Sequence, residues 1–573
     1  MINVQSNLIS QIINQKKENK TTTALDSSVT NTKTSNYLST FLDKLAQNNK
    51  ILVRPITTSV TQNFDYKNNL KTLFLTNSAK ILAIIPRTFN AKDTNGNEYI
   101  DGNEQHGTFL NAVDRLDEVK NDGFNTLHVL PINPPGKNTA MGTAGSVYAP
   151  EDLLKLDPML IDKNDPRSDI EQFKYFVNEC HKRGIRVMVD MPSCASCDLY
   201  NKRPELMAHE RNGLAKTPQG WYDIRMFQPW EDEGKRTLNP ELLKYHKEFV
   251  DLMIDSGVDG IRADVARAKP VEFWDIIIPY SRKRDPEFAW LAETYTYEDA
   301  SPQANMPYDR PEDSLRAGFD AFYGQYHIFH EWSTAKQLND YVIENLDLSY
   351  RVDKGKSLIG SFATHDDISP MLSGGEVYCN LISGLQATLP MLNPYFVDGF
   401  QTGDYYDYKY GNSENLNTQT DSTEMTVHKN KLDIFNLSRK PGGKQPEIGK
   451  FMTSALKLRD NYANVLNRGS FIVLDKKKDS NDEVIAFARH RLGKTLLVIA
   501  NKNVNRNISC IVKVPTLKST QKLRNLLPTY GKESKFQVDN NSISVDLGPG
   551  RIHVFEVDTP NIETSTQKVY KQH

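Results

Sequence analysis

The fold is decided by the stretch Gly257-Val258-Asp259-Gly260-Ile261-Arg262-Ala263-Asp264. Side chains alternate between the two faces of a strand, so Arg262 and Asp264 share one face. Ile261 and Ala263 point to the other face, as they would if helices packed against it. A carboxylate beside a fixed guanidinium is predicted to stay ionised, which suits a nucleophile. An isolated pair of this kind is more typical of a salt bridge, so its meaning depends on the rest of the chain.

Apolar runs of strand length recur along the chain, and segments with helical spacing separate them. The runs lie at residues 80–86, 125–131, 185–190, 257–264, 288–293, 319–323, 358–363 and 387–392. Helical segments precede or follow them at 107–123, 170–183, 243–256 and 273–282. This alternation predicts an α/β fold, an eightfold (β/α) TIM barrel, whose reactive residues lie at the carboxyl ends of the strands.

The chain of 573 residues is long enough for one large and one smaller domain. Polar composition predicts a largely flexible N-terminal segment, and alternating strands predict a C-terminal antiparallel β-sandwich. The predicted boundaries are 1–75 for the flexible segment (with one amphipathic helix at 36–48), 76–462 for the barrel, 463–560 for the sandwich and 561–573 for a loose tail. A small insertion after the third strand, at about 191–240, carries Trp221, Tyr222, Phe227 and Trp230, for sugar faces or for its own packing.

The charge balance is near neutral, with 70 Lys and Arg against 72 Asp and Glu. This balance gives no electrostatic reason to expect binding to nucleic acid or to an anionic membrane, and an uncharged binding partner fits it best. No apolar run approaches the roughly 20 residues of a bilayer span, and the first residues lack the apolar core of a secretory signal, so the cytoplasm is expected. The five cysteines suit free thiols, and Cys194-Ala195-Ser196-Cys197 is more typical of two thiols than of a redox or metal site. The oligomeric state is left open.

Residues 93–104 resemble a calcium loop of the EF-hand type. Oxygen-bearing side chains stand at its positions 1, 3, 5, 9 and 12: Asp93, Asn95, Asn97, Asp101 and Glu104. The loop departs from the pattern at position 6, where Glu98 replaces the expected glycine, and it lacks flanking helices. The sequence therefore leaves a Ca²⁺ site and a plain polar turn as alternatives, and no other cofactor is expected.

Three acids fall at the ends of the fourth, fifth and seventh predicted strands: Asp264, Glu293 and Asp366. A retaining glycosidase needs two carboxyl groups about 5–5.5 Å apart, and neighbouring strands about 5 Å apart can supply them. Asp264 is the predicted nucleophile and Glu293 the acid/base, kept protonated by desolvation against Trp290-Leu291-Ala292. Asp366 with His365 is predicted to hold sugar hydroxyls, although the doubled Asp366-Asp367 leaves open which aspartate is the third acid.

These motifs resemble those of the α-amylase family of glycoside hydrolases and transglycosidases. The stretch ending at Asp264 is similar to the nucleophile strand of that family, Leu291-Ala292-Glu293 to its acid/base strand and Thr364-His365-Asp366 to its transition-state-binding strand. The resemblance covers about residues 80–560. It implies an α-glucan or oligosaccharide substrate, with Tyr148 as an aromatic platform and Arg262, His365 and Asp190 as further substrate-binding residues.

The third-strand motif departs from the family, because Asp190-Met191-Pro192-Ser193-Cys194-Ala195 lacks the usual Asn-His pair. This departure argues against a structural calcium ion at the insertion. Segments such as Lys269-Pro270 and Phe273-Trp274 resemble the branch of maltosyltransferases that extend α-1,4-glucans from maltose 1-phosphate. Hydrolysis and transfer therefore both remain open, and a non-catalytic glucan-binding relative is the alternative from a different class.

Overall fold

The computed structural model describes residues 68–97, 99–140, 143–218, 221, 223–294, 311–324, 332–352, 356–367, 369–404, 446–531 and 533–572. The helix predicted at 36–48 and most of the polar N-terminal segment lie outside these residues.

Strands and helices are numbered along the described chain. The strands are β1 Ile81–Ile84, β2 Thr126–Val129, β3 Arg186–Met191, β4 Cys194–Ser196, β5 Ile224–Met226, β6 Trp230–Asp232, β7 Thr237–Leu238, β8 Gly260–Ala263, β9 Ala289–Ala292, β10 Ala321–Phe322, β11 Ser357–Ile359, β12 Leu392–Asn393, β13 Tyr395–Val397, β14 Ser470–Val473, β15 Lys476–Lys477, β16 Val484–Arg491, β17 Lys494–Asn501, β18 Ile508–Lys513, β19 Lys535–Asp539, β20 Ser542–Leu547, β21 Ile552–Val557 and β22 Val569–Tyr570. The α-helices are α1 Leu70–Leu75, α2 Pro86–Phe89, α3 Phe109–Ala112, α4 Leu116–Asn121, α5 Asp169–Lys182, α6 Cys197–Lys202, α7 Pro240–Asp255, α8 Val271–Arg284, α9 Pro311–Ala317, α10 Ala335–Val352, α11 Pro370–Thr388, α12 Pro446–Asn461 and α13 Ala463–Leu466. None of the helices in these ranges has the length and apolarity that a bilayer crossing requires.

The predicted barrel is confirmed. Its wall is a nine-stranded parallel sheet in the order β12-β11-β10-β9-β8-β3-β2-β1-β13. β12 pairs with β11 and β13 pairs with β1, so the two short strands around Pro394 together close the sheet. The eighth strand was predicted at 387–392, but Ala387 and Thr388 are the last residues of α11 and the strand begins at Leu392. An apolar run of this length does not distinguish a buried helix end from a strand.

The alternation in β8 places its residues as predicted. Ile261 and Ala263 pack in the large apolar cluster between the sheet and the surrounding helices. Arg262 is fully buried on the inner face of the sheet. Gly260 is required by close packing, since a Cβ atom there would lie 2.7 Å from the carbonyl oxygen of Ala289. The alternation therefore separates an apolar outer layer from a polar inner site.

Helix α1 closes the amino end of the barrel, and this corrects the prediction that the flexible segment extends to residue 75. Leu70 and Phe74 are fully buried in the same cluster as the inner-face residues of the sheet. The Asn68 side chain donates to the carbonyl oxygen of Asp259 at 2.9 Å and to Asp285 Oδ2 at 2.7 Å. Residues 68–75 are therefore part of the barrel core, which their polar surroundings in the sequence concealed.

The insertion after β3 forms two small antiparallel pairs, β4 with β5 and β6 with β7. Phe227 and Trp230 are buried, and Phe227 packs in the large apolar cluster and against His246 of α7. Trp221 is partly exposed and packs against the barrel interior and against the insertion. Tyr222 lies outside the described residues. Of the two roles predicted for these aromatic residues, packing accounts for Phe227 and Trp230, although Phe227 packs against the barrel rather than within the insertion alone.

The C-terminal domain is the predicted antiparallel sandwich, with sheets of five and four strands that share one apolar core. The prediction of a loose tail after residue 560 is wrong. Val569 pairs with Ile472 and Tyr570 with Phe471, so the last strand extends the five-stranded sheet. Short strands such as β22 carry too few residues to show an alternating pattern.

Two buried arginines fix the end of α11, and one of them, Arg489 of the C-terminal domain, joins that domain to the barrel. Arg459 donates to the carbonyl oxygens of Ala387 and Leu392, and Arg489 donates to those of Thr388 and Gly469. Positive charge is favourable at a helix carboxyl end, where carbonyl groups lack helical partners. Gln572 completes this contact, because its Oε1 accepts from Arg489 Nη2 at 2.6 Å.

We expect Gln572→Ala to lower the free energy of unfolding by about 1–3 kcal/mol, because a buried guanidinium loses a hydrogen-bond partner. Urea denaturation of the full chain measures this change. Gln537→Ala, at an exposed position of the same domain, is the control and is expected to change stability by less than about 0.5 kcal/mol. Equal effects of the two substitutions would contradict a structural role for the C-terminal residues.

Candidate active site

The centre of the candidate site is the guanidinium of Arg262, which is fully buried at the carboxyl end of the barrel. Its Nη1 donates to both carboxylate oxygens of Asp190 at 2.9 Å and to Asp264 Oδ1 at 3.0 Å. Its Nη2 lies 2.6 Å from Glu293 Oε2. These carboxylates come from β3 and from the ends of β8 and β9, which are neighbours in the sheet. One cation therefore holds three acids that are far apart in the sequence.

Asp264 is held from both sides. Arg262 binds its Oδ1, while Ser193 donates to its Oδ2 through the backbone N–H at 2.9 Å and through Oγ at 2.8 Å. Ser193 lies in the turn that leads from β3 into β4. The carboxyl group is therefore fixed in orientation before any substrate binds.

Glu293 contacts polar donors rather than the apolar neighbours predicted from the sequence. Besides Arg262, the backbone N–H of Val265 donates to its Oε2 at 2.7 Å. Val265 adopts φ 35°, a conformation that β-branched residues rarely occupy and that costs free energy. Trp290 packs among the outer helices and donates its indole N–H to Ser281, so it does not desolvate Glu293.

Two histidines and two tyrosines surround Asp190. Tyr148 donates its hydroxyl to Asp190 Oδ2 at 2.7 Å, and its ring stacks on His365 with 5.7 Å between centroids. His128 lies 3.3 Å from Asp190 Oδ2 through Nε2 and 2.9 Å from the Tyr395 hydroxyl through Nδ1. Asp190, Tyr148 and His365 were predicted as site residues, and the structure places all three next to Arg262.

Asp366 and Asp367 are now distinguished by their contacts. Asp366 Oδ2 lies 3.3 Å from His365 Nε2, and its charge interacts with those of Glu293 and Asp264. Asp367 Oδ2 accepts from the Thr364 N–H at 2.8 Å and from Thr364 Oγ1 at 2.6 Å. Asp367 thus closes the turn after β11, and Asp366 is the acid that faces the other carboxylates.

Burial of the acids and their closeness to one another shift their pKa values. Burial, only partly offset by Arg262 and reinforced by Glu293, raises the pKa of Asp264 to about 7. Burial and then Glu293 raise the pKa of Asp366 well above its usual value. Burial would raise the pKa of Asp190 too, but Arg262 and His128 outweigh it and hold that pKa below its usual value. The prediction that Arg262 alone keeps Asp264 ionised overlooked its burial.

Sequence reasoning missed Ser193, His128 and Tyr395. His128 and Tyr395 are polar residues inside short apolar strands, and a polar residue in a buried strand is the signal that could have indicated them. Ser193 gave no comparable signal, because its contact with Asp264 depends on how the turn after β3 folds.

The loop of the five predicted calcium ligands is closed largely by its own hydrogen bonds. Asn95 and Asn97 donate to the two carboxylate oxygens of Asp101 at 3.2 and 2.8 Å, and Asp93 accepts from the Gly96 N–H at 2.7 Å. Glu104 accepts from the N–H groups of Thr94 and Asn95. Within the described residues no group of three or more His, Cys, Asp or Glu side chains has a geometry that could hold a metal ion. The side-chain oxygens of Asn95 and Asn97 accept from the N–H groups of Asn97 and Tyr99, both at 2.9 Å, so their amide nitrogens are the atoms that face Asp101.

Comparison with known proteins gives relatives of two kinds, although no family model matches the chain. Alpha-1,4-glucan:maltose-1-phosphate maltosyltransferase from Bifidobacterium animalis subsp. lactis is 25% identical in an alignment of 505 residues that covers 80% of this chain and 61% of that protein. The enzyme of the same name from Picrophilus torridus is 22% identical in an alignment of 481 residues that covers 79% of this chain and 68% of that protein. The chain thus spans about two thirds or less of the length of these relatives.

Among solved structures, a noncanonic maltogenic alpha-amylase from Thermotoga neapolitana superposes with a TM-score of 0.61 at 20% identity, covering 85% of this chain and 99% of that one. An alpha-amylase from Lactobacillus plantarum gives a TM-score of 0.60 at 18% identity, covering 84% and 99%. At these identities the structures show the fold alone. Together the two kinds of relative confirm the resemblance to the α-amylase family and the partial likeness to its maltosyltransferase branch.

We expect Arg262→Met to lower the free energy of unfolding by about 3–5 kcal/mol at neutral pH, because it leaves buried carboxylates without their cation. Without the cation, burial raises the pKa values of these carboxyl groups in the folded variant above their unfolded values. The loss of stability is therefore expected to grow as the pH rises from about 5 to 7.5.

Urea denaturation at several pH values measures this trend. Arg351→Met is the control, since Arg351 is exposed and its ion pairs are worth little at any pH. A pH-independent loss in Arg262→Met would show that the guanidinium contributes packing rather than charge.

Proposed function

We propose that the chain is a retaining enzyme that cleaves α-glucosidic bonds in α-1,4-glucans or oligosaccharides through a covalent glycosyl-enzyme intermediate. The observation that carries this proposal is the shared guanidinium, which brings Asp264 and Glu293 together from adjacent strands. Two carboxyl groups on neighbouring strands of a barrel suit the short spacing that retaining glycosidases use.

In the first step Asp264 attacks the anomeric carbon and forms a glycosyl ester. The bond to the leaving oxygen breaks, and Glu293 transfers its proton to that oxygen. In the second step Glu293 takes a proton from water or from a sugar hydroxyl, whose oxygen displaces Asp264. Burial and mutual repulsion raise the pKa values of Asp264 and Asp366, so this group of closely spaced carboxylates as a whole retains protons near neutral pH.

The neighbours of the acids suit a neutral sugar. Tyr148 offers a partly exposed ring beside the cluster, and its hydroxyl is fixed by Asp190. Burial and Arg262 lower the pKa of His365, so its neutral ring can bind a hydroxyl group. Asp366 lies beside both His365 and the acids, where it can hold hydroxyls of the distorted ring.

A second candidate is transfer of a maltosyl group from maltose 1-phosphate, and the sequence relatives from Bifidobacterium and Picrophilus favour it. The same pair of acids would act, with phosphate as the leaving group and a glucan hydroxyl as the acceptor. The third alternative, a non-catalytic glucan-binding protein, is disfavoured because both acids and their arginine are present and in contact.

We also propose that the loop at residues 93–104 binds calcium through Asp93, Asn95, Asn97 and Asp101. Carboxylate and amide oxygens are the ligands that Ca²⁺ prefers. Asn95 and Asn97 lie beside Asp101, to which their amide nitrogens donate, so the loop already brings these three side chains together. Glu104 is engaged by backbone N–H groups and has a structural role in the loop.

The function is tested by incubating the protein separately with soluble starch, with maltose, and with maltose 1-phosphate plus a glucan acceptor. Reducing sugar released from starch indicates hydrolysis, and a lengthened glucan with free phosphate indicates maltosyl transfer. Asp264→Asn is expected to lower turnover by at least about 10⁴-fold, since no ester can form. Asp367→Asn is the matched control and is expected to retain activity, because Asp367 closes a turn. An Asp264→Asn enzyme with near-normal turnover would end the proposal.

We expect 1 mM Ca²⁺ to raise the melting temperature relative to a chelator, because an ion bound only by the folded state stabilises it. Asp101→Ala is expected to abolish this difference. Asp165→Ala, which removes a partly exposed carboxylate paired with Arg167, should leave the difference intact. Identical melting curves with Ca²⁺ and with chelator would show that the loop is a plain polar turn.

A further inference from the structure

We infer that Ser193 is a positioning residue for Asp264, and that Lys269 holds Ser193 in place. The inference rests on the proposed role of Asp264 as nucleophile. Ser193 and Lys269 were not predicted as site residues. Ser193 lies in the turn after β3, which lacks the Asn-His pair of the α-amylase family, and Lys269 bonds to it from the segment before α8.

Ser193 makes two of the hydrogen bonds that orient Asp264. Its N–H and Oγ both donate to Asp264 Oδ2, at 2.9 and 2.8 Å, and the residue is only 6% exposed. A carboxylate oxygen has two lone-pair sites, so these two donors occupy Oδ2 while Arg262 occupies one site on Oδ1. The orientation of the Asp264 carboxylate is therefore set by Ser193 at one oxygen and by Arg262 at the other.

The turn that carries Ser193 is itself fixed. Lys269 Nζ donates to the Ser193 carbonyl oxygen at 2.8 Å, and Lys269 is only 3% exposed. The ammonium also lies 5.0 Å from the ring centroid of Phe227 in the insertion. On the other side, the Asp264 N–H donates to the carbonyl oxygen of Met191 at 3.1 Å, which continues the pairing of β3 with β8. A displacement of the turn would therefore break contacts to the barrel and to the insertion together.

Donors to the ionised form of a carboxyl group favour that form. Ser193 opposes the burial and the neighbouring acids that make Asp264 harder to ionise, and Lys269 adds a positive charge nearby. Both residues therefore increase the fraction of Asp264 that is ionised and able to attack. The charged and titratable groups that act on Asp264 from the surrounding elements are Arg262, Asp190, Glu293, Asp366, Lys269, Cys194 and Tyr148.

The inference is tested by the pH dependence of kcat/KM in Ser193→Ala. Activity requires ionised Asp264, so the acidic limb of the wild-type profile rises with pH around neutrality. Loss of the hydroxyl donor is expected to raise the midpoint pH of this limb by about one unit. At pH values below the midpoint kcat/KM then falls about tenfold, and on the plateau at higher pH it falls much less. Ser193→Thr, which keeps a hydroxyl, is expected to restore the wild-type limb. Lys269→Met should move the limb in the same direction.

Ser196→Ala is the matched control. Ser196 lies on the same segment and is 1% exposed, but its hydroxyl accepts from the Leu199 N–H and does not contact Asp264. A purely structural effect of Ser193→Ala would lower activity equally at all pH values, as in the control, and would overturn the inference. If Ser193→Ala does not fold, Ser193→Cys supplies a weaker donor of similar size, and an unmoved limb in that variant likewise overturns the inference.

A second measurement separates this inference from the proposed function. The Asp264 carboxyl ¹³C resonance, identified by its loss in Asp264→Asn, reports the pKa of this group without any substrate. A higher pKa in Ser193→Ala supports the inference even if the enzyme acts on none of the sugars tested. An unchanged pKa overturns the inference even if Asp264→Asn is inactive and the proposed function holds.

Discussion

The structure depends on the burial of one positive charge, the guanidinium of Arg262, among negative charges that need it. A buried cation without partners costs several kcal/mol, and so does each buried carboxylate. Arg262 bonds to Asp190 and Asp264 and lies against Glu293, so each charge compensates the desolvation of the others. The three acids reach Arg262 only when β3, β8 and β9 are adjacent. The geometry of the site therefore depends on the completed barrel.

The barrel interior is layered around this charge. Toward the amino end, α1 and inward residues such as Met188 and Leu291 form an apolar core. Two residues farther along their strands, Asp190 and Glu293 begin the polar layer, since alternation returns to the same face at every second residue. The apolar layer supports the polar one from below and keeps water from reaching Arg262 from that side.

Much of this arrangement could be predicted from the sequence, because it depends on period-two alternation along single strands. The shared face of Arg262 and Asp264 and the outward side of Ile261 follow from that rule alone. What could not be predicted depends on contacts between distant segments. Ser193 reaches Asp264 through a turn, and α1 closes the barrel from a polar stretch. Glu293 was assigned the wrong neighbours because Trp290, one position along the chain from Leu291, faces the opposite side of the sheet.

The charges of the described site also bear on its substrate. Four acids, Asp190, Asp264, Glu293 and Asp366, act on one another, while the two cations beside Asp264 are already bonded to protein groups. An anionic donor would add negative charge to this cluster, whereas a neutral glucan would not. A phosphate leaving group therefore requires further positive charge close to Glu293 before transfer can compete with hydrolysis. On electrostatic grounds the described cluster suits a neutral donor, and the sequence relatives favour the phosphorylated one. In the proposed mechanism the first step is the same for both donors, since in each case Asp264 attacks the anomeric carbon.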